Sequence, residues 1–172
     1  MEDMLFFRLD SSYIDEMLEI QRVCWEKEPG VFVASSPDAY LRSFEFENFV
    51  VGVSDGGRLV GFLNCAVHNR HSGMNLGRQL NYTPEMLDRV GHLNTVLMRP
   101  DHRGRGLALR LVRMAIQEFP ARVRYLMSTT SPENTAAQRI LNDFGFDRQG
   151  GELEVCGQRR LLFVRDLEVH PK

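Results

Sequence analysis

Short apolar runs bounded by turn residues predict seven strands, at residues 4–9, 49–53, 59–67, 92–98, 122–130, 152–156 and 160–166. Apolar residues at three- and four-residue spacing predict helices between them, at about 12–28, 36–46, 108–119 and 131–145. The order is then β-α-α-β-β-β-α-β-α-β-β, in which one βαβ crossover lies among antiparallel pairs. This pattern predicts an α/β (α+β) fold with a mixed, mostly antiparallel sheet of six to seven strands.

Local signals mark where several of these elements begin. Ser12 with Asp15 forms a capping box for the first helix, whose buried face is predicted to carry Ile14, Met17, Leu18, Cys24 and Trp25. Ser36-Pro37 is an N-cap followed by proline at the first helical position. Residues 70–90 interrupt the strand rhythm with glycines and a helix start at Thr83-Pro84, so they are predicted to form a long excursion with one short helix.

A basic, glycine-containing turn between the fourth strand and its helix is the strongest chemical signal. Pro100 ends the strand, and Gly104 and Gly106 free the backbone to direct its N–H groups one way. The first turn of the following helix has unpaired N–H groups and the positive end of the helix dipole, with Arg103 and Arg105 beside it. This arrangement favours an anion such as a pyrophosphate.

The spacing of the turn selects among phosphate-binding families. The chain has no Gly-Lys-Ser/Thr here and no Gly-x-Gly-x-x-Gly. Arg103-x-x-Gly106-x-Ala108 instead resembles the acyl-CoA-binding motif of the GNAT superfamily of N-acyltransferases. Asn134-x-x-Ala137 followed by Phe144-Gly145-Phe146 resembles a second motif of that superfamily. The matched elements span roughly residues 59–146 and follow the superfamily's strand order, so the resemblance implies the GNAT fold.

The resemblance also implies acetyl-CoA as co-substrate. The fourth and fifth strands would splay apart and admit pantetheine beside Val96, Leu97 and Met98, the candidate cofactor-binding residues of this strand. The pantetheine amides would pair with Val96 and Met98, while the Leu97 side chain faces the core. The diphosphate would be held by the backbone N–H groups of Arg103, Gly104, Arg105, Gly106, Leu107 and Ala108, with the two arginines able to reach the ribose phosphate. Asn134 would hydrogen-bond pantetheine, or else serve only as a polar residue at the start of its helix.

Acyl transfer to an amine requires a base, since an alkylamine with a pKa of ~10.4 is almost wholly protonated at neutral pH. His92 lies where the superfamily's histone acetyltransferases carry a glutamate and its arylalkylamine acetyltransferases a histidine. It is the candidate general base, directly or through water, and Asn94 on the same predicted face is a second candidate catalytic residue. The alternative is that His92 is simply a polar residue at the start of a strand.

One departure concerns the general acid. Many members have a tyrosine seven residues after the motif asparagine, and here that position is Leu141. A thiolate leaves readily enough that the missing acid costs at most ~2 kcal/mol. Ser128, Thr129, Thr130 or water remain candidates. The leading hypothesis is acetyl transfer to a primary amine by direct attack in a ternary complex, and the alternative is a non-catalytic acyl-CoA-binding or sensor domain.

Composition limits the remaining possibilities. The 172 residues suit a single domain over 1–172, and a net charge of -2 gives no general attraction to nucleic acid or membranes. The three cysteines are predicted to be reduced, buried thiols. His68, His71 and His92 lack zinc spacing, so no metal is expected. The acidic start at residues 1–4 and the lack of long apolar runs predict a cytoplasmic protein.

The acceptor is expected to be a small-molecule or peptide amine. Candidate lining residues are Glu45, Glu47, His68, Asn69 and the excursion at 70–82. An acidic lining suits an amine, whereas Arg70 and Arg78 suit an acceptor that also bears a carboxylate, and the sequence leaves both open. An edge strand or the terminal hairpin offers a surface for a possible homodimer.

Overall fold

A computed structural model describes residues 4–172, so residues 1–3, which entered the expectation of cytoplasmic location, lie outside the described residues. The described chain forms strands β1 Leu5–Arg8, β2 Phe49–Asp55, β3 Arg58–Val67, β4 Val90–Met98, β5 Tyr125–Thr130, β6 Asp147–Val155 and β7 Gln158–Asp166. The α-helices are α1 Ile14–Lys27, α2 Pro37–Arg42, α3 Pro84–Leu87, α4 Leu107–Glu118 and α5 Thr135–Asp143, and 3-10 helices cover Ser11–Tyr13, Leu76–Leu80 and Pro100–His102.

Hydrogen bonding connects the strands in the order β1-β2-β3-β4-β5-β7-β6. β4 and β5 are parallel and are joined by α4, whereas β1–β2, β2–β3, β5–β7 and β6–β7 are antiparallel. This confirms the predicted mixed sheet with one βαβ crossover. The chain divides into two units, one of Met1–Cys65 with Asn94–Glu118 and the other of Ala66–Leu93 with Phe119–Lys172. A single domain over 1–172 stays a prediction.

The core of the first unit packs α1 and α2 against strands β2 to β4. Its buried residues are Leu9, Met17, Ile20, Cys24, Tyr40, Val50, Leu59, Phe62 and Leu97. Burying such aliphatic and aromatic side chains stabilises a fold by about 1.5–3 kcal/mol each. The turn between β2 and β3 has positive φ at Gly56 and Gly57, which is the conformation typical of a two-residue hairpin loop.

Three predicted details of the first unit are wrong. Trp25 is 36% exposed, because it lies one residue beyond Cys24 and therefore off the buried stripe of α1. The predicted capping box at Ser12 does not form: Asp10 caps the preceding 3-10 helix, where its Oδ1 accepts from Ser12 N–H at 2.8 Å, and α1 follows Tyr13 without a side-chain cap. α2 ends at Arg42, and the chain then turns through Phe46, whose φ of 54° cannot continue a right-handed helix.

The second unit packs β4, β5 and β7 around Val90, Tyr125, Met127, Leu162 and Val164. β5 begins at Tyr125 rather than at 122, because Val123 N–H bonds back to Pro120 O and closes a turn. β6 begins at Asp147, five residues before its predicted start, because a register shift between Gln149 and Glu152 accommodates the two intervening glycines. Cys156 was predicted to be buried, but it lies exposed at the hairpin tip with a φ of 50°.

Candidate functional site

The predicted phosphate turn has the backbone geometry of an anion site. After β4 the chain makes the 3-10 helix at 100–102, and then Gly104 and Gly106 adopt φ values of 75° and 72° before α4 begins at Leu107. Within residues 4–172, the N–H groups of residues 104–108 donate to no backbone acceptor. Successive N–H groups in alternating left- and right-handed conformations form a concavity that favours anions. Phosphate binding by the turn stays a prediction, for which this geometry supplies main-chain donors.

The two arginines of the turn are engaged with acidic side chains. Arg103 donates from NH1 to Glu28 Oε2 at 2.7 Å and from Nε to Met98 O at 3.2 Å, so its guanidinium is turned toward the end of α1. Arg105 NH1 lies 3.7 Å from Asp55 Oδ2. Contact of either arginine with a ribose phosphate stays a prediction, and for Arg103 it requires the Glu28 pair to open.

His102 connects the turn to the end of β2. Its Nε2 lies 3.1 Å from Asp55 Oδ2 and its Nδ1 lies 2.8 Å from Asp101 Oδ1. The sequence did not identify Asp55 or Glu28 as neighbours of the turn. Both residues are far from residues 101–105 along the chain, so no local pattern indicates that they contact the turn.

Side chains replace part of the backbone pairing along β4. Its ladder with β5 joins Val90–His92 to residues 125–127. The next carbonyl, Leu93 O, accepts from Ser128 Oγ at 2.9 Å, and Thr95 N–H donates to Asn64 Oδ1 at 2.9 Å. In a regular strand, residues two apart direct their backbone groups to the same neighbouring strand. Leu93 is directed toward β5 and Thr95 toward β3, so β4 changes direction at Asn94, as at a β-bulge.

The stretch around this change is the accessible part of β4. Asn94 is exposed and Thr95 and Val96 are half-buried, whereas the residues on both sides are buried. Leu97 lies in the core, as expected. The Met98 carbonyl accepts from Cys24 Sγ at 3.3 Å and from Arg103 Nε. Two donors of this chain thus bond the carbonyl of Met98, one of the two residues predicted to pair with pantetheine.

His92 is buried and hydrogen-bonded at both ring nitrogens. It is 4% exposed, its Nδ1 lies 2.9 Å from His68 Nε2, and its Nε2 accepts from Leu76 N–H at 3.2 Å. Burial, with a smaller effect of His68, holds the pKa of His92 well below 6.5, and burial lowers the pKa of His68 to about 4. Because Leu76 N–H can only donate, neutral His92 must carry its proton on Nδ1 and donate it to His68. Its role as base stays a prediction, and it requires the Leu76 bond to open.

Asn134 is the N-cap of α5, one residue before the helix begins at Thr135. Its Oδ1 accepts from Ala137 N–H at 3.1 Å, which is the local bond that the alternative interpretation expected. A contact with pantetheine stays a prediction, and in this conformation it would use the amide NH₂.

The candidate general acids are also engaged. Ser128 donates to Leu93 O, Thr130 Oγ1 bonds to Ser131 O at 3.0 Å, and Thr129 Oγ1 accepts from Arg160 Nε at 3.3 Å. Leu141 is buried. The general acid therefore remains unassigned among the side chains of β5.

The two arginines suggested for an acceptor carboxylate form hydrogen bonds within the excursion. Arg70 pairs with Asp88 through Nε at 2.8 Å and NH2 at 2.6 Å. Arg78 donates to the carbonyls of Arg70 and Ser72. Glu45 and Glu47 are exposed on the turn after α2. Which residues face the acceptor stays a prediction.

The described part of the chain offers neither a cluster of metal-binding side chains nor a membrane-spanning helix. Among residues 4–172, no group of three or more His, Cys, Asp or Glu side chains is placed to hold a metal ion. None of the helices in this part of the chain combines the length and the hydropathy needed to cross a bilayer.

The chain matches the model of the Acetyltransferase (GNAT) family over residues 14–146. The comparison with curated proteins gives no significant match. The fold is similar to that of yncA from Salmonella typhimurium, a proposed acetyltransferase solved with its cofactor acetyl-CoA (15% identity, TM-score 0.70, 98% of this chain and 96% of that one).

Two further solved structures have the same fold. One is the diaminobutyrate acetyltransferase EctA of Paenibacillus lautus, in complex with L-2,4-diaminobutyric acid and coenzyme A (16% identity, TM-score 0.68, 96% of each chain). The other is a ribosomal-protein-alanine N-acetyltransferase of Brucella melitensis (16% identity, TM-score 0.71, 95% of this chain and 99% of that one).

Proposed function

The chain belongs to the GNAT family of acetyltransferases, and from that membership we propose that it transfers an acetyl group from acetyl-CoA to a primary amine. The acceptor is a small molecule or peptide, and the amine attacks the thioester directly in a ternary complex. The observation that carries this proposal is the left-handed pair Gly104 and Gly106, with five successive N–H groups that lack a backbone acceptor within residues 4–172. These donors suit the CoA diphosphate.

In the proposed complex, the backbone at Val96 to Met98 lies along pantetheine. An N–H group of this stretch polarises the thioester carbonyl, which is a one-donor form of oxyanion stabilisation. The amine attacks the carbonyl carbon, the C–S bond breaks, and CoA leaves as the thiolate. The amine proton passes to His92, directly or through water.

Alanine substitutions at two glycines distinguish an effect on diphosphate binding from an effect of backbone strain. A Cβ at Gly106 or at Gly30 meets nothing within 4 Å, and both residues have positive φ, of 72° and 83°. Substitution by alanine should therefore destabilise the fold similarly, by about 1 kcal/mol. We expect Gly106→Ala to weaken acetyl-CoA binding about tenfold or more, since its Cβ would stand where the phosphate approaches, and Gly30→Ala to leave it unchanged.

Calorimetric titration of acetyl-CoA into the three proteins measures this difference. Equal affinity in all three, or no binding to the wild type, would overturn the proposal. Turnover is tested by following free CoA thiol with lysine, spermidine, L-2,4-diaminobutyrate and a peptide with N-terminal alanine. The last two probes are taken from the solved relatives.

The second candidate is an acyl-CoA-binding or sensor domain without catalysis. Two observations favour it: Leu141 stands at the family's tyrosine position, and both ring nitrogens of His92 are hydrogen-bonded. It predicts tight acetyl-CoA binding with no CoA release for any amine of the panel. A cytoplasmic location, a homodimer and the absence of a metal requirement stay predictions.

A further inference from the structure

A buried carboxamide on β3 holds the accessible stretch of β4. Asn64 is 6% exposed, and its Oδ1 accepts from Thr95 N–H at 2.9 Å. A backbone N–H in a strand normally pairs with a carbonyl of the neighbouring strand. Here the Asn64 side chain takes that place, one residue from the change of direction at Asn94.

The other end of the carboxamide contacts the chain after α2. Asn64 Nδ2 donates to Ser43 Oγ at 3.4 Å, and Ser43 Oγ donates to Ala39 O at 3.2 Å. Ser43 is also buried. Three hydrogen bonds in series therefore connect the backbone of α2 with the backbone of β4. Since buried polar groups are costly to leave unpaired, each member fixes the next.

Successive N–H groups of an extended strand point to opposite edges. With Thr95 N–H held toward Asn64, the N–H of Val96 is directed to the other edge of β4. Asn64 thus bonds the residue next to Val96, in the stretch that the proposed function places beside the thioester carbonyl.

We propose that Asn64 is a positioning residue for acyl transfer, which holds Thr95 so that the Val96 N–H is aligned with the thioester oxygen. This inference rests on the proposed function. Asn64 itself touches neither co-substrate. Its loss should lower kcat and leave acetyl-CoA affinity almost unchanged, because the diphosphate turn does not depend on it.

Asn64→Ala removes the acceptor, and Asn64→Asp keeps an oxygen at the same place. Asn64→Ser serves if the alanine variant does not fold. The matched control is Tyr40→Phe in the same unit, which loses a buried hydroxyl that donates to Gln21 Oε1 at 2.7 Å and has no bond to β4. Amide hydrogen exchange at Thr95 reports the bond directly. We expect about tenfold faster exchange in Asn64→Ala than in Tyr40→Phe at matched stability, and restored protection in Asn64→Asp.

Steady-state kinetics with the amine that the wild type acetylates complete the test. We expect kcat to fall about 10- to 100-fold in Asn64→Ala with the KM for acetyl-CoA within about threefold. If no amine is acetylated, the readout is the Val96 amide resonance, whose shift on adding acetyl-CoA should be lost in Asn64→Ala while binding persists. Unchanged Thr95 exchange, unchanged kcat, a rise in KM alone or an unchanged Val96 shift would overturn the inference. A wild type that does not bind acetyl-CoA would instead overturn the proposed function, and the inference with it.

Discussion

Nδ1 of His92 lies 2.9 Å from Nε2 of His68, and the two ring centroids are 4.0 Å apart. Leu76 N–H occupies the remaining nitrogen of His92, so the pair holds the excursion only while both rings are neutral. A further proton on His92 or on the shared nitrogen of His68 would break one of these two bonds.

The histidine pair should make the fold sensitive to mild acid. Burial lowers the pKa of both rings, that of His68 to about 4, so the unfolded chain binds protons below its own value of about 6.5 that the folded chain excludes. The contribution of the pair to the free energy of unfolding is therefore fully present above pH 6.5 and is lost as the pH falls toward 4. The loss should approach ~1.4 kcal/mol per pH unit for each histidine, measured by urea unfolding at several pH values.

A matched pair of variants isolates this effect. His68→Gln should flatten the acid limb of the stability curve, because it removes one of the two groups. His71→Gln changes an exposed histidine of the same excursion and should leave the slope as in the wild type. An unchanged slope in His68→Gln would show that the acid sensitivity arises elsewhere.

His92→Gln tests the general base. Glutamine keeps a polar side chain at the site but does not titrate in this range, so a base role predicts a fall in kcat of about 10²-fold or more. Acetyl-CoA affinity, measured by calorimetry, should not change. Wild-type turnover in His92→Gln would leave His92 as a structural residue that holds Leu76. A parallel loss of affinity would point to misfolding of the excursion.

The sequence predicted the succession of strands and helices along the chain and the two motifs, because both depend on local pattern. Hydrophobic periodicity predicted the helices and strands. The glycines at 104 and 106 predicted a turn, and both have positive φ in the structure. Contacts between segments that are distant along the chain could not be predicted from the sequence. Nothing near Asn64 signals that its side chain bonds Thr95, 31 residues away, and nothing near Glu28 signals its pair with Arg103.

His92 illustrates the same limit at one residue. Its strand position was predictable, but its burial depends on how the excursion folds back over β4. The contact with Leu76 comes from a 3-10 helix that no periodic pattern marks.

The Arg103–Glu28 pair should control which phosphate Arg103 can reach. Both side chains are partly exposed, so the pair adds at most about 1 kcal/mol to stability. We expect Glu28→Gln to leave the melting temperature nearly unchanged and to strengthen CoA binding, because the guanidinium becomes available. Comparing CoA with 3′-dephospho-CoA locates the contact. Arg103→Ala should abolish the preference for CoA if this arginine meets the ribose phosphate, and Arg105→Ala is the control at the neighbouring position. An undiminished preference in Arg103→Ala would exclude Arg103 from that role.

Leu141→Tyr restores the side chain that many family members carry at the general-acid position. Leu141 is 5% exposed, so the larger ring should overpack the helix interface and destabilise the fold by about 1–3 kcal/mol. Leu141→Phe imposes the same bulk without the hydroxyl and is the matched control. If protonation of the leaving sulfur limits the reaction, kcat should be higher in the tyrosine variant than in the phenylalanine variant, by no more than the ~30-fold that 2 kcal/mol allows. Equal kcat in the two variants would mean that CoA leaves as the thiolate without an acid at this position.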